Sequence, residues 1–227
     1  CIEEAIGIQD ISACSVQGCA GVLDGTATDS DEDGICDNLQ GTVADIDGNI
    51  YKTIIIGSQN WMAQNLRVLK YKNGDEIPTV LDGSEWSTLT TGAYSVYDNN
   101  DPHSATWGRL YNWYAVDDSR GLCMEGWHVP SDGEWTTLIT FLDENADPSP
   151  SVEELYIQSD IAGGMIKSTG TIEGGDGLWN EPNTGATNSS GFTGLPAGYR
   201  SPSPDSGHYT ALGKYGYFWS FSLDGGN

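Results

Sequence analysis

The chain has 227 residues, of which 33 are acidic and 9 are basic, so its formal net charge is −24. Such a chain cannot neutralise a row of phosphates, which argues against nucleic acid as a partner and favours divalent cations. Its 8 Trp, 11 Tyr and 30 Gly predict a packed core connected by many turns. No apolar run approaches the ~18 residues that a membrane-spanning helix needs.

The composition changes abruptly near residue 40. Residues 1–40 contain nine acids and no aromatic or basic residue, whereas all aromatic and basic residues lie beyond. This change predicts an acidic segment at 1–40 and a larger domain at 41–227. Because the segment has too few large apolar side chains for its own core, we expect disulfides and a metal ion to brace it.

Four of the five cysteines lie in the first 36 residues, a clustering typical of exported, oxidised proteins. Their spacings do not match zinc-ligand pairs, and no His lies nearby. We therefore predict disulfides, with pairing left open, among Cys1, Cys14, Cys19 and Cys36. Cys1 has an alternative interpretation, because a bacterial lipoprotein begins its mature chain with a lipidated Cys.

An acidic loop in the segment has the spacing of a calcium site. It places carboxylates at loop positions 1, 3, 5 and 9, a Gly at position 6 and a carbonyl at position 7, which are the oxygen ligands that Ca²⁺ prefers. Position 12 is Gln40 rather than Glu, so the loop is not an intact EF-hand. The alternative is a solvated acidic linker, but unpaired carboxylates this close would repel each other. The predicted Ca²⁺ ligands are Asp29, Asp31, Asp33, Ile35 and Asp37.

Strands and short helices are predicted along the larger domain, with long loops between them. In chain order they are a hairpin at 42–57 with its turn at 47–49, a strand and turn at 59–66, a strand at 91–97, a short helix at 107–116, a helical piece at 162–168, and strands at 192–199 and 217–222.

The clearest local signal lies at residues 126–135. An apolar strand there is followed by Pro130, and Ser131 with Glu134 forms a capping box. The next apolar residues recur with helical spacing and form one stripe. This stretch therefore predicts a strand that leads directly into the main helix, whose stripe is Trp135, Leu138, Ile139 and Leu142.

Several ordered motifs carry a family resemblance. They include Trp61-Met62-Ala63-x-Asn65-Leu66, Tyr111-Asn112-Trp113-Tyr114, Gly126-Trp127-His128-Val129-Pro130 and Pro182-Asn183-Thr184-Gly185-Ala186-Thr187-Asn188. Over about residues 42–222 the chain resembles the Fibrobacter succinogenes major paralogous domain family. The resemblance implies an α+β domain similar to the C-type lectin-like fold, with short twisted strands, two main helices and long loops. It also implies export and a bacterial cell-surface location. The acidic loop resembles thrombospondin type 3 repeats.

The same resemblance implies a closing strand beyond residues 217–221, with a Cys that would pair with the one matching Cys123. The chain stops at Asn227 without such a Cys, so we expect the C-terminal strand to be missing and Cys123 to lack a visible partner. Either the sequence was cut short, or the closing strand comes from another segment or subunit. An open sheet edge of this kind is a template for strand addition.

Four aromatic residues lie in loops rich in Gly, Ser, Asn and Asp. An exposed ring in such a loop can stack on the face of a sugar while neighbouring amides contact its hydroxyls. The alternative is that these rings fill small cores under long loops. The candidate ligand-binding residues are Trp86, Trp107, Trp179 and Tyr209.

Glu181 and Asn183 flank Pro182 in the tripeptide by which mannose-type C-type lectins hold calcium and sugar hydroxyls. The downstream Trp-Asn-Asp of those lectins has its nearest counterpart here in Trp219-Ser220-Phe221, which offers no carboxylate or amide. Loop shaping is therefore the simpler interpretation, and Glu181 and Asn183 remain weak candidates for ligand binding.

Enzyme chemistry finds little support, because no His has a nucleophile that the sequence can assign and paired reactive cysteines are absent from the larger domain. We predict a secreted or cell-surface bacterial protein that is not an enzyme, has a calcium-stabilised N-terminal segment and binds or adheres through glycans. Its predicted partners are calcium, glycans, and copies of itself or another surface protein. The alternative is a structural subunit of an extracellular filament assembled by strand or segment exchange, and a hydrolase ranks well below both.

Overall fold

The computed structural model describes residues 1–3, 40–150, 158–203 and 208–222. In these ranges the protein is mixed α and β, with small antiparallel sheets, which is compatible with the predicted α+β class. The strands in the described ranges are β1 Ile2–Glu3, β2 Gln40–Ala44, β3 Ile50–Ile56, β4 Gln59–Met62, β5 Tyr94–Ser95, β6 Leu110–Tyr111, β7 Trp127–His128, β8 Ala197–Arg200 and β9 Tyr209–Leu212. The α-helices there are α1 Gly83–Thr88, α2 Ser104–Trp107, α3 Trp113–Val116, α4 Asp132–Leu142 and α5 Ala162–Ile166.

The largest sheet has the strand order β2-β3-β4-β1-β7, and every neighbouring pair is antiparallel. The predicted hairpin is confirmed as β2 and β3. Its turn is held by Asp45, whose Oδ1 accepts hydrogen bonds from the backbone N–H groups of Asp47 at 3.0 Å and Asn49 at 2.9 Å. Tyr51 donates its hydroxyl to Asp45 Oδ2 at 2.6 Å. The Asp45 carboxylate therefore fixes the local geometry of the turn.

Strand β1 comes from the first residues of the chain and lies between β4 and β7. Ile2 pairs with Trp61 on one side and with His128 on the other, and its side chain is 1% exposed. The predicted boundary near residue 40 therefore does not separate residues 1–3 from the larger domain. The rest of the acidic segment, with Cys14, Cys19, Cys36 and the predicted calcium ligands at residues 29–37, lies outside the described residues.

A disulfide joins Cys1 to Cys123, whose Cα atoms are 5.9 Å apart. The expectation that Cys123 has no partner in this chain is wrong, because β1 brings Cys1 next to it. The lipidated-Cys alternative is also wrong, since the Cys1 sulfur is in the disulfide and cannot carry a thioether as well. The two cysteines are 122 residues apart in sequence, so local spacing gave no sign of this pairing.

The main helix and its capping box are confirmed. Ser131 Oγ accepts from the Glu134 N–H, and Glu134 Oε2 accepts from the Ser131 N–H at 2.7 Å. Helix α4 packs its apolar stripe on the large sheet, where Leu138 is 1% exposed and Trp135 lies 4.8 Å from Trp61 between ring centroids. The core of the sheet therefore forms between β1, β3, β4 and α4.

The predicted helix at 107–116 is wrong. Gly108 ends α2 with φ of 74°, and a Cβ at this position would lie 2.6 Å from Asn65 Cβ. The chain then forms β6, and Asn112 starts α3 by accepting a hydrogen bond from the Ala115 N–H at 3.0 Å. A close approach to Asn65, invisible in the apolar spacing, thus replaces one helix with two short ones.

Predictions further along the chain have mixed outcomes. The helical piece at 162–168 is confirmed as α5, and the strand predicted at 192–199 appears shorter and later, as β8. No strand forms at 217–222 among the described residues. That segment instead packs against the start of α4, where the Phe221 N–H donates to the Pro130 carbonyl at 2.8 Å. None of the helices in the described ranges has the length and apolar character of a membrane span.

Candidate functional site

An open cleft of about 740 Å³ lies between α1, β6, α3, β8 and residues 217–219. We call it the aromatic cleft, because rings make up much of its lining. The aromatic side chains that line it are Trp86, Tyr111, Trp113, Tyr114, Tyr199, Tyr217, Phe218 and Trp219. Clefts of this size with apolar walls and a few polar groups are typical ligand sites.

Several of these rings remain open to solvent. Tyr114 is 43% exposed, Trp219 is 45% exposed and Tyr217 is 56% exposed. Two of them pack on neighbouring rings: Trp113 lies 5.8 Å from Trp219 and Tyr199 lies 5.0 Å from Tyr217, measured between centroids. The cleft therefore presents supported aromatic faces to solvent.

Hydrogen bonds fix the segment that carries Trp219. Its indole Nε1 donates to the Tyr111 carbonyl at 2.9 Å, and its own carbonyl accepts from Trp135 Nε1 at 3.1 Å. The first bond ties the segment to β6 and the second ties it to α4. Because the indole N–H and the carbonyl of Trp219 each have a hydrogen-bond partner in the fold, the orientation of the ring is set before a ligand binds.

Arg109 supplies the cleft with a buried cation. Its side chain is 9% exposed, and Nη2 lies 3.3 Å from Asp101 Oδ1. The guanidinium stands 5.1 Å from the centroid of the Tyr94 ring. Its Nε has no hydrogen-bond partner among the described residues. A buried donor without a partner is costly, and because this Nε is shielded from solvent it does not contribute a donor to the surface of the cleft.

Asn112 also lines the cleft, but its amide is engaged in structure. Its Oδ1 accepts from the N–H groups of Ala93 and Ala115, each at 3.0 Å, and its Nδ2 donates to the Thr91 carbonyl at 2.9 Å. Asn112 therefore holds the loop before β5 against α3 and fixes this wall of the cleft.

Two of the predicted ligand-binding residues, Trp86 and Tyr209, lie on either side of Arg200. The guanidinium is 4.6 Å from the Trp86 centroid and 5.1 Å from the Tyr209 centroid, and it donates to the carbonyls of Val80 and Leu81. Burial lowers the pKa of Arg200, against the opposing effects of Tyr209 and Asp82. Trp86 lines the cleft but is only 8% exposed, so it serves as a buried wall. Tyr209 stands outside the cleft lining.

Trp107 lines a smaller cavity of about 140 Å³ that adjoins the aromatic cleft. The two spaces share Arg109, Tyr111, Tyr217 and Trp219 in their linings. Trp107 therefore lies near the cleft without facing its open part, and its carbonyl accepts a hydrogen bond from Asn65 Nδ2 at 2.9 Å.

The remaining predicted residues gather elsewhere, around Ser168. Trp179 is 8% exposed and donates its indole N–H to Ser168 Oγ at 3.0 Å, while Asn183 Nδ2 donates to the Ser168 carbonyl at 3.1 Å. Glu181 is exposed, and its backbone N–H donates to Glu173 Oε2 at 3.0 Å. Asn183 thus braces its own loop. In the described ranges no three His, Cys, Asp or Glu side chains converge as metal ligands would.

His128 takes part in capping α4. Its Nε2 lies 2.8 Å from Glu134 Oε1, and Glu134 Oε2 accepts from Ser131 Oγ at 2.8 Å. Burial raises the pKa of Glu134, but hydrogen bonds from Ser131 and His128 outweigh it, so the pKa is lowered overall. The geometry gives His128 a structural partner, as expected for a residue between a strand and a helix cap.

Sequence reasoning overlooked most of the rings that form the cleft. Trp113, Tyr114, Tyr199, Tyr217 and Trp219 were assigned to a helix face or to strands, where a ring is expected to be buried. The available signal was local density, because the aromatic residues at 111–114 and at 217–219 follow one another too closely for all of them to point to one core.

The family model described as the Fibrobacter succinogenes major domain matches residues 54–227. This range includes the aromatic cleft, Cys123 and helix α4, and it starts twelve residues later than the resemblance noted in the sequence. Neither a curated protein nor a solved structure shows significant similarity to the chain.

Proposed function

We propose that this chain, which belongs to the Fibrobacter succinogenes major domain family, is an exported bacterial cell-surface protein that binds carbohydrate in its aromatic cleft and serves adhesion. The observation that supports the proposal is the set of half-exposed rings at Tyr114, Tyr217 and Trp219, of which Tyr217 and Trp219 pack on neighbouring rings. Exposed aromatic rings that cluster around one cleft are typical of a surface that binds a ligand or another molecule.

The chemistry of the cleft suits a sugar. A pyranose ring presents apolar C–H faces that pack on Tyr and Trp, and its hydroxyls both donate and accept hydrogen bonds. The half-exposed Tyr114 and Tyr217 that line the cleft carry phenolic hydroxyls, which can donate to or accept from these oxygens. Aromatic rings combined with hydroxyl groups are suited to a carbohydrate ligand.

Charge narrows the class of carbohydrate. The chain carries a formal net charge of −24, and its field repels polyanions such as sulfated or uronic polysaccharides. Arg109 is already paired with Asp101 and cannot offset that field alone. Neutral glycans are therefore the proposed ligands.

The proposal is tested by measuring binding to neutral polysaccharides and glycan arrays with the purified chain and two variants. Tyr114→Ala removes an exposed cleft ring, and Trp219→Ala removes the ring fixed by Tyr111. Loss of a stacking ring is expected to weaken binding at least about tenfold. The matched control is Phe141→Ala, which removes a 58% exposed ring on α4 outside the cleft and leaves binding unchanged.

Two outcomes would count against carbohydrate binding. The first is no binding to any neutral glycan while circular dichroism shows a folded chain. The second is binding that Phe141→Ala weakens as much as Tyr114→Ala does, because the aromatic cleft would then not be the site.

The finer fold assignment is also part of the proposal. We propose a C-type lectin-like arrangement for the larger domain, supported by short strands, a main helix after β7 and long loops. For the acidic segment we propose a thrombospondin type 3-like Ca²⁺ site whose ligands are Asp29, Asp31, Asp33, Ile35 and Asp37, supported by their spacing in the sequence.

Removal of calcium tests the proposed Ca²⁺ site in the acidic segment. Since a bound ion stabilises the state that binds it, the melting temperature of the chain should fall when EDTA is added and recover with excess Ca²⁺. Asp31→Asn with Asp33→Asn should abolish this response and leave the melt in EDTA unchanged. A melting temperature that does not respond to EDTA would refute the bracing role.

A filament subunit is the second candidate function. It is favoured by the placement of β1, a short strand from a distant part of the chain that completes the interior of the large sheet. Electron microscopy of the oxidised protein at high concentration addresses this candidate, and a solution containing only monomers and closed small oligomers would remove it.

A further inference from the structure

Strand β1 occupies a slot between β4 and β7 that any copy of the strand could fill. Within the sheet, β7 is hydrogen-bonded to the other strands only through β1. The slot recognises its occupant through backbone pairing on both edges, through the buried side chain of Ile2, and through the bond from Cys1 to Cys123. Asn60 adds a side-chain contact by donating its Nδ2 to Glu3 Oε2 at 2.8 Å.

These contacts are few but specific. Ile2 packs in the cluster that contains Trp61, Leu138 and Phe192, and the Met62 N–H donates to the Cys1 carbonyl at 3.3 Å. Two residues of strand pairing are too short to be stable by themselves. The disulfide and the buried Ile2 therefore provide much of the attachment of β1 to the slot.

The connection from β1 to the next described strand is long for the distance it must cover. Strands β1 and β2 lie three positions apart in the sheet, a span of about 14 Å at the usual strand spacing. The 36 residues from 4 to 39 separate them in the sequence, and a chain of that length reaches at most about 120 Å. This reach allows β1 to enter the slot of a neighbouring molecule.

We propose that the slot between β4 and β7 accepts β1 from a second copy of this chain, so that Cys1 of one copy forms a disulfide with Cys123 of the other. The contacts in the slot are the same in both arrangements, so concentration decides between them. The strand of a second copy competes with the tethered strand of the same chain, whose local concentration is on the order of mM. Exchange therefore becomes substantial as the protein approaches mM concentrations.

The disulfide makes each exchange permanent. The Cys1 and Cys123 thiols lose two protons and two electrons to a small disulfide oxidant such as oxidised glutathione, which is reduced to two thiols. The disulfide joins Cys1, next to β1, to Cys123 of the molecule whose slot β1 occupies, so the linked peptides identify the copy that supplied the strand. Strand exchange does not depend on carbohydrate binding. It would supply the contact between neighbouring subunits that the filament candidate requires.

The experiment uses the intact chain. Protein with natural nitrogen and protein uniformly labelled with ¹⁵N are mixed in equal amounts, reduced, and reoxidised with a glutathione buffer at about 10 µM and at about 1 mM, which bracket the expected effective concentration. After proteolysis, mass spectrometry measures the fraction of Cys1–Cys123 peptide pairs that contain one natural and one labelled peptide. Batches oxidised separately and then mixed show the background.

Exchange predicts mixed pairs that are rare at the lower concentration and approach about one quarter of all pairs near mM concentration, where the two arrangements compete evenly and half of the exchanged pairs join differently labelled copies. The control variant is Ile2→Asp, which keeps both cysteines but places a charge in the buried core position and should prevent seating. Because both arrangements use the same contacts in the slot, the total yield of Cys1–Cys123 pairs, mixed and unmixed, should fall severalfold in this variant.

Either of two results overturns the proposal. One is a background level of mixed pairs at about 1 mM, which would mean that β1 always returns to its own copy. The other is an equal yield of mixed pairs with Ile2→Asp, which would show random thiol pairing without strand seating. If exchange occurs but microscopy shows no filament, strand exchange produces closed oligomers, and only the filament candidate is refuted.

Discussion

Two regions of this protein use aromatic residues in opposite ways. The sheet region, formed by β1 to β4, β7 and α4, buries the ring at the centre of its core: Trp61 is 2% exposed and packs on Trp135 and Phe192. The cleft region, formed by α1, β6, α3, β8 and residues 217–219, leaves Trp219 45% exposed. The same side chain thus stabilises the fold in one region and faces solvent in the other.

The difference lies in what holds each ring. Trp61 is fixed by apolar contacts from several elements, and its Nε1 has no hydrogen-bond partner among the described residues. Trp219 is fixed by hydrogen bonds through its indole N–H and its carbonyl. Hydrogen bonds orient a ring without covering its faces, whereas burial covers them. The comparison therefore separates rings that stabilise the protein from rings that remain available for a ligand.

The largest expected effect comes from removing a ring in the sheet region. Trp61→Ala should lower the free energy of unfolding by about 3–5 kcal/mol, because it leaves a cavity at the centre of the core. Tyr114→Ala in the cleft region should change it by less than about 0.5 kcal/mol, since an exposed ring loses few contacts. Urea unfolding followed by fluorescence measures both.

Similar destabilisation by Trp61→Ala and Tyr114→Ala would contradict the distinction between the regions. It would mean that the cleft rings are part of the stabilising core, and the argument for a binding surface would lose its basis.

The disulfide provides the next largest effect. Replacing Cys1 and Cys123 together by Ala should lower the free energy of unfolding by about 2–4 kcal/mol, mainly because the unfolded chain is no longer closed into a long loop. The cleft region should keep its ligand affinity, since neither Cys1 nor Cys123 lines the aromatic cleft. Chemical unfolding and a binding assay on the same variant test both parts.

The matched control for this variant replaces Cys14 and Cys36 by Ala and leaves the bond to Cys123 intact. If the Cys1 and Cys123 replacement alone abolished binding in a chain with native circular dichroism, the two regions would be coupled, and the proposed independence of sheet and cleft would be wrong.

The smallest effect concerns a charge pair beside the buried Tyr71. Hydrogen bonds from Arg120, whose Nη2 lies 2.8 Å from Asp118 Oδ2, lower the pKa of Asp118 to about 2. A depressed carboxyl pKa stabilises the folded state above the ordinary Asp value, and this contribution disappears as the pH falls through the folded-state pKa. Wild-type stability should therefore fall between about pH 4 and pH 2 more steeply than that of Asp118→Asn.

Thermal melts across that pH range measure the difference between the two proteins. Glu125→Gln removes a carboxylate whose side chain is 89% exposed and serves as the charge-matched control. Parallel pH profiles for wild type and Asp118→Asn would show that the Arg120 contact contributes nothing to folding.

Local sequence signals correctly predict the elements whose stabilising contacts lie within a few residues of one another. The capping box at Ser131 and Glu134, the stripe of α4, and the turn at Asp45 to Asn49 all depend on residues within a few positions of one another. These elements form as predicted. The helix expected at 107–116 does not, because Gly108 must pass close to Asn65, a contact between parts of the chain that apolar spacing does not report.

Most of the residues that line the proposed site were not predicted from the sequence. Aromatic residues in polar loops indicated stacking surfaces, yet Trp179 is buried on Ser168, and Trp86 and Tyr209 enclose Arg200. Whether a ring is exposed depends on which distant segment covers it, and one sequence does not contain that information in local form.

By itself, the amino-acid sequence determined the α+β character, the family, the hairpin, and the strand that leads into the capped helix, because periodicity, capping and turn chemistry act over a few residues. Only the tertiary structure decided that Cys1 pairs with Cys123, that Ile2 completes the interior of the sheet, and that Tyr114, Tyr217 and Trp219 surround one cleft. Those arrangements join residues far apart in the chain, and they depend on how packed elements exclude or admit solvent.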